Sequence, residues 1–138
     1  MNKIPNYRVW HKIEKRFVDL RSIDFESEKI GYDCQGEAHY YDVAKFDEIV
    51  FQQWTGLKDS KGIDIYEGDV VKIIYEGTIA EVYFDSNICA FRLKDNTSKS
   101  YPITTYRFDE SHNPIGLINV FDEVIGNIFE NSELLNNE

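Results

Sequence analysis

Cysteine, proline, methionine and histidine are all scarce in this chain of 138 residues: two, three, one and three respectively. Cys34 and Cys89 stand far apart in unlike surroundings, which excludes the dense disulfide framework of small secreted domains and fits reduced thiols in a cytoplasm. Cys34 and His39 lie five positions apart, and His11, Cys89 and His112 are remote from them. No tetrahedral zinc set is advertised, so neither metal nor cofactor is expected. No apolar run approaches the ~18 residues of a membrane span, and Met1 to Arg8 lacks a signal peptide's apolar core. Phosphate-cradling glycine loops, dinucleotide fingerprints and nucleophile elbows are also missing. Positive charge is short as well, with 15 Lys and Arg against 25 Asp and Glu and a net charge of −10. That balance disfavours nucleic acid, whose non-specific affinity comes from cations displacing counterions, and it disfavours anionic membranes.

What the chain does have is aromatic and β-branched mass. Hydrophobic residues make up 42% and aromatics 14%, mostly Tyr and Phe, so the chain is globular and leans towards strands. Short apolar segments separated by polar clusters run through the first fifty residues, the pattern of a β lobe. Around Val43 to Val50 helical and strand spacings compete, and the lack of a cap favours strand. Two turn clusters, Lys58 to Gly62 and Glu67 to Asp69, bracket Ile63 to Tyr66. Strands are then predicted over Asp69 to Tyr75, over Ile79 to Phe84, and over Cys89 to Leu93, with a further one near Tyr101 to Tyr106. Pro102 lacks a donor and belongs at a sheet edge.

These strands predict a mainly β fold (α+β at most): an N-terminal β lobe and linker over 1–61, an SH3-like barrel segment over 62–108, and a closing segment over 109–138. In the closing segment, a strand at Val124 to Phe129 and a short helix from Glu133, capped by Asn131 or Ser132, pack back. Lobes this small barely offset chain entropy alone, so one cooperative unit is expected.

The string Trp54 to Val71, the string Val124 to Leu135, and Arg8-Val9-Trp10 near the start occur in an order and spacing that resembles the YopX-like family of phage and prophage proteins. The resemblance spans nearly the whole chain. Trp54, read as the anchor between the lobes, stands where the family usually has another aromatic, and Ser132 stands where it commonly has proline. The resemblance implies a phage or prophage protein in a bacterial host but no activity.

Candidate chemistry therefore rests on surfaces. Tyr66, Tyr75, Tyr83, Tyr101 and Tyr106 form the candidate aromatic surface, suited to stacking or to proline-rich peptides, although a small barrel also needs such side chains in its core. Asp109, Glu110, Asp122 and Glu123 form the candidate acidic surface. The reading is a non-enzymatic protein-interaction module whose partner is a host or phage protein with a basic surface; self-association is compatible with it. The alternative is a nucleic-acid-binding module using the tyrosines with Lys72, Arg92, Lys94, Lys99 and Arg107.

Overall fold

The computed structural model describes residues 6–34, 41–73 and 77–136, and for residues 105–107, 117, 118 and 122 the backbone alone. The described chain is mainly β, with two single-turn 3-10 helices and no longer helix. It forms two compact units that divide between Trp54 and Thr55.

In the first unit, β1 (Tyr7–His11) lies between β2 (Arg16–Val18) and the first half of β6 (Ile49–Lys58), antiparallel to both. A second sheet is an antiparallel meander of β3 (Leu20–Asp24), β4 (Lys29–Asp33) and β5 (Tyr41–Lys45). Strand alternation turns Val9, Val18 and Ile49 from one sheet, and Ile30, Tyr32 and Ala44 from the other, into one buried core. The ambiguous stretch resolves as strand, with one 3-10 turn at Phe46–Glu48 leading in. Lys45 offers that turn no side-chain cap, and the β-branched pair Ile49 and Val50 continues extended.

The second unit begins with the end of β6 and β7 (Asp64–Tyr66). Five antiparallel strands follow in the order β11-β10-β9-β8-β14, curling into a half-barrel. They are β8 (Asp69–Ile73), β9 (Ile79–Asp85), β10 (Ala90–Asp95), β11 (Ser100–Pro102) and β14 (Phe121–Asn127). Pro102 sits on an edge strand, as its missing donor requires. A separate hairpin joins β12 (Thr104–Phe108) to β13 (Pro114–Asn119). Ile65, Val71, Ile73, Ala80, Val82, Leu93, Val120 and Phe121 close the core.

The C-terminal strand does pack back. β14 pairs with β8, placing Val124 opposite Val71 and Asn127 opposite Asp69. The terminal helix is a single 3-10 turn, Ser132–Leu135, without a side-chain cap. Asn131 is turned back instead, and its Oδ1 accepts the Asn127 amide at 3.2 Å. Cys89, expected to open β10, lies in the preceding turn at φ 52°.

Six hairpin loops share one construction. Asp59, Asp95 and Asp109 each open a three-residue loop, and each Oδ1 accepts two amides ahead of it. The fourth position, Gly62, Ser98 or His112, takes positive φ, the geometry of a turn followed by a left-handed residue. Asp24 and His11 likewise accept two amides each in four-residue loops, and Asp85 accepts one, with Glu28, Lys15 and Cys89 left-handed. Five of the chain's 25 acids thus organise loops.

Candidate functional site

The five tyrosines do not form one surface. Tyr83 faces Arg92, and Arg92 faces Pro102, across β9, β10 and β11, while Tyr101 faces Leu93. Neighbouring positions on a strand point to opposite faces, so Tyr83 and Tyr101 lie on opposite sides of the sheet. Tyr101 packs against the core and its hydroxyl donates to Asp95 Oδ2 at 3.0 Å; burial, then this bond, push its phenol up. Tyr66 is half-buried on β7. Tyr75 lies outside the described residues, and Tyr106 is described by its backbone alone, opposite Leu117.

Tyr83 belongs to a polar cluster on the outer face. Its hydroxyl shares a 2.8 Å hydrogen bond with Ser100 Oγ, and Arg92 Nε donates to the same oxygen at 2.6 Å. Lys94 Nζ stands 5.0 Å from the Tyr83 ring centroid. Of the sequence's basic candidates, Arg92 and Lys94 are brought together here. Lys99 instead lies over Tyr101, and the side chain of Arg107 lies outside the description.

The four acidic candidates also separate. Asp109 and Glu110 are exposed at the closed end of the β12–β13 hairpin, beyond the pair Phe108 and Pro114. Glu123 stands past the hairpin's other end, which closes at Thr104 opposite Asn119, and it pairs with Lys61 at 2.8 Å. Asp122 is described by its backbone alone. The Asp109 carboxyl is held below the usual range, chiefly by the Asn113 amide, outweighing the opposing effect of burial. Beside this acidic end Phe108 and Ile115 are 54% and 57% exposed. Sequence reasoning missed both, although two large apolar residues flanking a polar loop of this length are a visible signal.

In the first unit, the buried His11 accepts the Ile13 and Glu14 amides on Nδ1. Its ring stands edge-on to Tyr32, whose hydroxyl donates to Glu14 at 3.2 Å. Burial first, and that hydrogen bond second, push the Tyr32 phenol up to about 12. Arg16 closes the group on Glu14. Among the described residues no three His, Cys, Asp or Glu are placed to hold a metal ion, and no helix is long and apolar enough to cross a membrane.

The family described as YopX protein matches residues 6–136. A similar solved structure is the crystal structure of protein EF1440 from Enterococcus faecalis, 25% identical, covering 97% of this chain and 99% of that one with a TM-score of 0.56. No curated protein matches.

Proposed function

The chain belongs to the YopX family, and from that premise we propose that it is a non-enzymatic protein-interaction module, at work in the bacterial cytoplasm in a phage or prophage setting. The half-barrel serves as an SH3-like platform, and the partner is a protein with a basic surface. The supporting observation is the end of the β12–β13 hairpin, where exposed Phe108 and Ile115 flank exposed Asp109 and Glu110. Exposed apolar side chains beside like charges suit a complementary protein face: apolar contact supplies affinity, and the charges set orientation and encounter rate. The charge excess points the same way. Carboxylates outnumber Lys and Arg by 25 to 15, which leaves a net charge of −10 to present to a partner.

The test is co-purification of the tagged chain from bacterial cells, parent against Ile115→Ser combined with Glu110→Gln. The reading expects a basic protein recovered with the parent, reduced by salt and lost in the double variant. Partners recovered equally by both chains, or none enriched over an untagged control, count against it.

A further inference from the structure

Arg92 and Lys94 are an oddity in a chain of net charge −10. Among the described residues neither forms an ion pair. Yet Glu81 lies directly opposite Lys94 in the sheet register, and Asp85 is two positions beyond Tyr83 on the same face. Asp85 is already engaged with the Asn87 amide; Lys94 has its Nζ 5.0 Å from the Tyr83 ring centroid, and its charge also acts on Glu81 without closing an ion pair. Arg92 is held by its Nε on Ser100 Oγ, and Ser100 is held in turn by the Tyr83 hydroxyl. Anchoring at Nε holds the guanidinium at one corner and leaves its two terminal amino groups as the remaining fork of donors. Lys94 is two residues along the same strand, on the same face. β11 beside them is a three-residue strand at the edge of the described sheet.

We propose that Arg92 and Lys94, positioned by Ser100 and Tyr83, form a binding site for a phosphate oxyanion. A planar guanidinium fork takes two phosphate oxygens at once, and an ammonium beside it adds a point charge. Tyr83 acts as a support, because its ring is already covered by Lys94 and is not offered to a base. This site is on the sheet face, separate from the hairpin end that carries the proposed protein contact, so either can fail without the other.

The isotope-labelled full chain is titrated at low ionic strength with inorganic phosphate, with adenosine monophosphate and with an oligothymidylate, following the Arg92 Nε–H and the Lys94 and Ser100 amides by NMR. Saturable shifts confined to these groups are expected. Arg92→Lys, which keeps charge but loses the fork, should weaken binding by about tenfold or more, and Lys94→Gln should weaken it too while core amides stay in place. Tighter binding of the oligonucleotide would identify a nucleic-acid backbone as the source; equal binding of all three would identify the bare oxyanion. The proposal is overturned by the absence of saturable shifts with any probe, or by an Arg92→Gln chain that binds as the parent does.

Discussion

Asp59 Oδ2 accepts the amide of Val124 at 3.0 Å, across 65 residues of chain. The same carboxylate holds the Lys61 and Ile63 amides through Oδ1, and Asp59 is almost fully buried. One side chain therefore shapes its own loop and pins the C-terminal strand β14. Asp59→Ala should leave three amides without this acceptor and cost about 2–4 kcal/mol. Asp59→Asn keeps one good acceptor and should cost less. Denaturant midpoints for both measure this, and a shift for Asp59→Ala no larger than for an exposed control such as Glu26→Ala would refute the latch.

The loop aspartates make stability depend on acid. Asp95 is held low mainly by the Thr97 hydroxyl, Asp24 mainly by Ser27, and Asp109 mainly by the Asn113 amide. For Asp59 the largest influence, burial, raises the pKa, but the Val124, Ile63 and Lys61 amides outweigh it. A folded-state pKa below the unfolded one means that folding favours the ionised form. That stability is present in full above the ordinary carboxylate range and is lost as pH falls through it, from about pH 5 downward. Glu81 works in the opposite sense, since burial raises its pKa, so its protonation offsets part of the loss. Chemical denaturation at neutral pH and at about pH 3.5 should show the decline, with a smaller decline in Asp95→Asn. A pH-independent midpoint would contradict it.

Gly126 is required by a close approach. A Cβ placed there would lie 2.6 Å from Asn131 Oδ1, 2.8 Å from its Cγ and 2.9 Å from its Cβ. Gly126→Ala must push Asn131 off the Asn127 amide and should cost about 1–3 kcal/mol. Combining it with Asn131→Gly should relieve the clash, giving a double variant less destabilised than the two single costs summed. Strict additivity in thermal denaturation would rule out the contact as the cause.

The edge of the first unit's meander is guarded. Among the described strands β5 has a neighbour on one side only, its Tyr41 and Val43 are exposed, and the Val43 amide is taken by the Asp42 carboxylate at 2.8 Å. A charge that occupies an edge amide discourages strand addition. Asp42→Ala should therefore self-associate with rising concentration, as read by sedimentation velocity. A variant that sediments like the parent at every concentration would show that Asp42 has no such role.

Much of the architecture was legible locally. Alternation in β9 and β10, the turn at Asp85 to Asn87, and Pro102 at an edge follow from strand period and the missing donor. The left-handed loop positions were legible only at Gly62, because Ser98, His112 and Cys89 reach positive φ through an aspartate's hold on the loop and carry no glycine to mark them. The side on which each tyrosine falls was not legible. Loop length sets register, and the four residues between Asp85 and Ala90 exchange odd and even faces while the three after Asp95 preserve them. Tyr83 and Tyr101, both odd, thereby part company. The acidic candidates scattered for a related reason: Asp109 and Glu123 are separated by the length of a hairpin that sequence spacing alone does not orient.

The proposed partner contact is tested most directly by its association rate as a function of salt. The co-purifying protein is titrated against the parent chain and against Glu110→Gln, which removes charge at the hairpin end while leaving the loop-forming carboxylate of Asp109 in place. The account predicts that association slows steeply as screening shortens the Debye length from about 30 Å at 0.01 M to about 8 Å at 0.15 M. It also predicts a slower rate and a shallower salt dependence for Glu110→Gln, with dissociation little changed. An association rate indifferent to salt and to Glu110 would contradict the account and leave the acidity of this chain to solubility and loop construction alone.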